Sequence, residues 1–283
     1  MSRTLAALAA AALLAACGLP GTVQARAFTT GFKAGETIRY RVHTTLSGSL
    51  GLAAQQLPLN SDRTLTEKLE VTSVDRSGTA TVQVSLVDLV QQATGAAGTT
   101  TPVPSTLRIG PDGRIRSGAA TQLGGPIPSI PGSDQVTPLL TGKPVKPGDS
   151  WDLAYDRPNP YGSGDFKFIG HSRYLRDQAV SGHQAAVIQT TLAGPIDFSI
   201  DFSKLQSPPA ATNPPVSSPT GPIHYTGNVT STSTYWIDLD SRQVLKSSAS
   251  GSYVLNYGLA SAGISGPQQV TFNGTIKTDL TRL

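Results

Sequence analysis

Apolar and polar residues alternate through most of the chain from Lys33 onward. In ETIRYRV, Ile38, Tyr40 and Val42 fall on one side while Arg39 and Arg41 fall on the other, the two-residue period of a half-buried strand. KLEVTSVDRSGTATVQVSL divides into two strands around the turn Asp75-Arg76-Ser77-Gly78, and TLRIGPDGRI is a hairpin turned by Pro111-Asp112-Gly113. Later, WDLAYD alternates, GPIDFSIDF sets Ile196, Phe198, Ile200 and Phe202 against Asp197, Ser199 and Asp201, and TYWIDLDSRQVLKSS is a further hairpin. No segment after the first sixteen residues carries a sustained helical stripe. The pattern predicts an all-β protein, a large curved antiparallel sheet or open barrel over residues 33–283.

An internal echo suggests how the strands are organised. Lys33-Ala34-Gly35-Glu36-Thr37 and Lys146-Pro147-Gly148-Asp149-Ser150 each place a small turn before an alternating strand. Downstream, the Ser77-Gly78 turn finds a counterpart at Ser181-Gly182, and the Asp112-Gly113 hairpin finds one at Asp240-Ser241. Two similar halves are expected, about 33–120 and 146–283, sharing one sheet and separated by a proline-rich connection. Either a true duplication or chance likeness between hairpins gives this order. A second proline-rich stretch, 206–222, cannot join a strand ladder and is expected as a loop. Bulky aromatics belong to the second half: past Phe32, Tyr40 is the only one before Trp151, so Trp151 and Trp236 are expected in the rigid core. Leu46 to Leu59 is too apolar for a solvated loop and too rich in glycine for a firm strand. An irregular edge and the wall of an apolar pocket both fit it.

The start of the chain breaks the pattern. Met1 to Arg3 is a short positive stretch, and Leu5 to Ala16 is an unbroken apolar run of 12 residues, expected as a helical signal segment (1–16). It is too short to span a hydrocarbon core of ~30 Å. The run closes with Leu14-Ala15-Ala16-Cys17-Gly18, which resembles the lipobox of bacterial lipoproteins. The resemblance implies that the Cys17 sulfur takes a diacylglyceryl group, that the leader is cut before it, and that the protein is held on a membrane of the cell envelope on the exported side. With Gly18 following in place of an aspartate, it implies the outer membrane where the cell has two. Cys17 is the only cysteine, so an internal disulfide is excluded. Two or three acyl chains, at about 0.8 kcal/mol per buried CH₂, hold a protein firmly where one would not. An ordinary secretory cut after Ala25-Arg26-Ala27 is the alternative. Residues 17–32 have no periodicity and are expected as a flexible tether, a coil of ~20 Å.

Composition and charge then narrow the function. Glycine (29) and proline (21) are abundant and charged residues make up only 14 %, which suits strands and turns. The net charge of +4 comes with no dense run of Lys and Arg, so nucleic acid is not an expected partner. There is no G-x-S-x-G elbow and no S-x-x-K, and the four histidines, His43, His171, His183 and His224, are scattered, so neither a catalytic residue, a metal nor a cofactor is assigned. Asp152 and Asp156 lie about 13 Å apart on a strand, and Asp238 and Asp240 about 7 Å, a spacing open to glycoside chemistry but equally that of turn formers. Asn228 and Asn273 match glycosylation sequons, incidental beside a bacterial-type leader.

PVKPGDSW (Pro144 to Trp151) and YWIDLDSRQVL resemble β-rich envelope lipoproteins carrying a lipobox. More loosely, the chain is similar to carrier lipoproteins whose antiparallel sheet forms a half-barrel around acyl chains, although it lacks their plugging helices. The expected function is that of a membrane-anchored, non-enzymatic envelope lipoprotein with a structural or protein-interaction role; binding an apolar or lipidic ligand is the alternative.

Overall fold

Alternation of this kind folds as a sheet with one dry face, and the computed structural model shows such a sheet curled until it nearly closes into a barrel. It describes residues 24–52, 55–93, 104–118, 135–159, 162–201, 222–258 and 269–283. The strands are β1 (Arg26–Ala27), β2 (Thr37–Leu52), β3 (Gln55–Val74), β4 (Ala80–Ala93), β5 (Ser105–Ile109), β6 (Ile115–Gly118), β7 (Pro144–Val145), β8 (Ser150–Pro158), β9 (Gly162–Ser163), β10 (Asp165–Val180), β11 (His183–Asp201), β12 (Pro222–Asp238), β13 (Val244–Gly258) and β14 (Gln269–Arg282). The main sheet runs β6-β5-β4-β3-β2-β14-β13-β12-β11-β10-β8, antiparallel throughout, with β9 on β11. Its two edges, β6 and β8, approach each other.

Side chains alternate across this wall as the sequence pattern demands. Ile38, Tyr40 and Val42 are buried and Arg39 and Arg41 are exposed; Phe166, Phe168, Ser172 and Tyr174 of β10 point inward. Outward positions of β12 and β13 carry Thr230, Thr232, Ser248, Ser250 and Ser252. An apolar interior under a hydroxyl-rich exterior is the reverse of a membrane-spanning barrel, whose apolar band faces lipid.

The two halves share one hydrogen-bonding scheme. In the first, the Gly35 N–H donates to Val71 O (2.8 Å) and the Val71 N–H donates to Glu36 O (2.9 Å). In the second, the Gly148 N–H donates to Tyr174 O (2.7 Å) and the Tyr174 N–H donates to Asp149 O (3.0 Å). Gly35 and Gly148 take φ values of +81° and +98°, which explains the glycine in both copies of the turn. The five-strand meander β2-β3-β4-β5-β6 thus answers to β8-β10-β11-β12-β13. β14 has no counterpart; inserted between β13 and β2, it joins the halves into one sheet.

Three expectations change. Residues 24–32 are not a free tether: β1 pairs with β7, and Phe28 is 6 % exposed with its ring edge-on to Tyr174 at 5.1 Å. The described residues of the Leu46 to Leu59 stretch, 46–52 and 55–59, continue β2 and begin β3, with Leu50 opposite Leu57, so they are regular sheet. Trp236 lies on the outer face, its Nε1 donating to Gln178 Oε1 (3.3 Å) and its ring beneath Lys246 Nζ (4.2 Å), so it is no core anchor. The signal segment, Cys17 and residues 206–221 lie outside the described residues, whereas Pro222 begins β12 opposite Asp201. Deleting residues 206–221 while keeping Pro222 is expected to leave the urea midpoint within the small range of a surface change, about 0.5 kcal/mol; a larger drop would show that the loop packs on the barrel.

Candidate functional site

Tight turns gather at one barrel end: those at 75–78, 110–113, 146–149 and 239–242 each join two strands within four or five residues, and the turn at 33–36 leads the nine residues after β1 into β2. The segment from Arg26 to Phe32 crosses the tight-turn end as a strap. The Thr30 N–H donates to Pro111 O (2.9 Å) and the Gly31 N–H to Arg242 O (3.2 Å), while the Leu140 N–H from the connection between halves reaches Asp112 O (2.8 Å). Arg26 Nη1 donates to Asp177 (2.7 Å) and to the Tyr174 hydroxyl (3.2 Å). Tyr174 itself donates to Asp177. Burial, and next that bond to a carboxylate, push the Tyr174 phenol well above its ordinary range.

Inside, two apolar tiers are stacked along the axis. The strap-end tier contains Phe28, Ile38, Leu69, Ile109, Ile188 and Ile237; the far tier contains Phe166, Phe198, Tyr225, Tyr253, Leu255 and Phe272. Between them is a cavity of about 80 Å³ lined by both halves, including Val42, Glu67, Ser231, Ser233, Tyr235 and Thr278. That is less than the ~150 Å³ that admits benzene. Burial pushes the Tyr235 phenol up to about 12, and its hydroxyl donates to Gln135 O (3.1 Å). Beyond the far tier, the tip of the β2–β3 hairpin turns Leu46, Leu50 and Leu59 inward, each only partly buried, with Leu57 44 % exposed.

Each residue singled out for chemistry is accounted for structurally. The four histidines stay apart, and each meets one aspartate across the sheet: His43 with Asp62 (3.0 Å), His171 with Asp152 (2.6 Å), His183 with Asp238 (3.2 Å) and His224 with Asp197 (3.4 Å). Among the described residues no three His, Cys, Asp or Glu side chains converge on a metal position. Asp156 and Asp152 are both exposed on β8. Asp238 is 3 % exposed and shapes its turn, accepting from the Asp240 N–H (3.0 Å) and Ser241 Oγ (2.9 Å). Burial pushes its carboxyl up, but these bonds and His183 outweigh it and hold it below the usual range. Asp238 and Asp240 therefore form a turn, not an acid–base pair. Asn228 and Asn273 sit exposed on the outer face.

The strap was missed by periodicity because it runs across the barrel end, not along a strand. Arg26 finds its partner 151 residues away, at Asp177, so no local spacing marks it. No protein-family model matches the chain, and no curated protein matches it.

Proposed function

We propose that the protein is an envelope lipoprotein held on a membrane through lipidated Cys17, acting as a stationary module with a structural or protein-interaction role. The observation that carries this reading is the filled interior. Two buried tiers occupy the barrel, the strap closes one end, and the cavity between the tiers is smaller than a benzene site. A shuttle for acyl chains needs far more internal room. The anchor rests on the lipobox-like residues, and the strap adds support: Arg26 and Ala27 belong to the fold, which a secretory cut after Ala27 would remove.

One observation favours the second reading, an apolar ligand. The inner face of the β2–β3 tip presents Leu46, Leu50, Leu57 and Leu59 without full burial, beside the aromatic tier. Cys17→Ser is expected to shift the protein from the detergent phase to a soluble or unprocessed form; unchanged partitioning would overturn the anchor. Mass spectrometry of organic extracts from the purified protein separates the two roles. The stationary module predicts no stoichiometric lipid beyond the N-terminal acyl chains, and a stoichiometric apolar compound would establish the ligand reading instead.

A further inference from the structure

We infer that the strap end of the barrel is a docking face for an anionic lipid surface, so that the barrel stands on the membrane with its far end pointing away. This rests on the Cys17 anchor only for the distance to the bilayer; the face itself is defined by the fold.

The basic groups come from turns far apart in sequence. Lys33, Arg76, Lys143, Lys146 and Arg242 are exposed on the turns and connections of this end, and among the described residues none makes an ion pair. The acids of the same end are engaged. Asp75 is held by Ser77, Thr79 and Arg108, Asp112 by Arg114 and Arg116, and Asp177 by Arg26 and Tyr174. Asp238 is buried in its turn, Asp149 accepts the Lys146 N–H, and Glu36 accepts from Gln243. Asp240 is the one acid there outside such an arrangement. Asp75, Asp112 and Asp177 are compensated by arginines, while the acids bonded only to neutral groups keep their charge close to the protein, so the five unpaired cations project from this end with a small positive excess. Among the described residues of the far end, Asp156 and Asp165 are exposed beside Lys167, and Asp197 meets His224.

Chain length brings the face to lipid. Eight residues, nine Cα–Cα steps, separate Cys17 from Arg26. As a coil these nine steps span about 15–18 Å, and at full stretch about 30 Å. The strap carries this linker onto the positive end, so acyl chains in the bilayer hold that end nearest the headgroups. There a negative surface potential acts over a Debye length of about 8 Å at physiological salt.

The test uses a chain beginning at Gly18, which keeps every described residue and lacks the lipid. Its sedimentation is measured with vesicles of phosphatidylcholine alone and with phosphatidylglycerol added, at low and at physiological salt. Binding to the anionic vesicles alone, weakened by salt, is expected. Lys33→Glu/Lys143→Glu/Lys146→Glu should lose more than about tenfold in affinity at an unchanged melting temperature, whereas Lys167→Glu/Lys277→Glu at other positions, which lowers the net charge without touching the face, should lose less than about threefold at physiological salt. Equal binding to both vesicle types, or equal losses in both variants, would overturn the inference. Mass spectrometry of the N-terminal peptide tests the anchor separately: an unacylated Cys17 with intact vesicle binding removes the anchor and leaves the face, and an acylated Cys17 without vesicle binding does the opposite.

Discussion

Phe272→Ala is expected to lower stability by about 3–5 kcal/mol, measured as a shift in the urea midpoint at constant slope. Phe272 is fully buried in the far tier, and its ring lies over two glycines that face each other across β14 and β2, Gly274 and Gly48. A Cβ at Gly274 would stand 2.6 Å from the Phe272 ring, and one at Gly48 would stand 2.4 Å from Asn273 O. The glycines leave a flat floor and the ring fills it, so removing the ring opens a cavity that neighbouring backbone cannot refill. Gly274→Val should displace the same ring and cost a comparable amount. With total stabilities of about 5–15 kcal/mol for a domain, either change takes a large share. A loss under about 1 kcal/mol for Phe272→Ala would show that the far tier does not hold the two halves together.

This pair of glycines also shows where reading the sequence falls short. Gly48 makes the stretch from Leu46 to Leu59 look too weak for a strand, because strand propensity charges glycine for missing packing. The ring that supplies the packing arrives from Phe272, more than two hundred residues later. Tight turns and alternating strands were legible because their causes are local: φ above zero at Gly35 and Gly148, and period two in ETIRYRV. The shared turn scheme was legible as an echo, while the role of β14 between the halves was not, since it has no counterpart to echo. The outward side of Trp236 was hidden for another reason: alternation gives two faces, and only the register of β12 against β11 and β13 assigns Trp236 to the wet one.

Charge followed the same division. No run of basic residues exists in the sequence, yet Lys33, Arg76, Lys143, Lys146 and Arg242 gather at one end because the meander returns its tight turns there. A face built from five separated positions has no linear signature. The neutralisation of its acids is equally non-local, for Asp75 meets Arg108 and Asp177 meets Arg26 only in the folded barrel.

Phe28→Ala is expected to cost about 3–5 kcal/mol, as for a buried core aromatic, although it lies in a stretch without any periodicity. Phe28 closes the strap-end tier against Tyr174, and the strap around it is fastened at β1–β7, at Pro111 and at Arg242. A chain that starts at Phe28 keeps the ring but loses Arg26 and Ala27. The Arg26–Asp177 pair is partly exposed, at 41 % and 32 %, so solvent screening limits it to about 1 kcal/mol. The β1–β7 backbone bonds add about 1 kcal/mol each. Starting at Phe28 should therefore cost about 2–3 kcal/mol relative to starting at Gly18, less than losing the ring itself. Comparing the three proteins by urea unfolding checks the order. Equal stability of the chains starting at Gly18 and Phe28 would mean that β1 merely lies on the barrel, and it would remove the structural argument against a mature protein cut after Ala27.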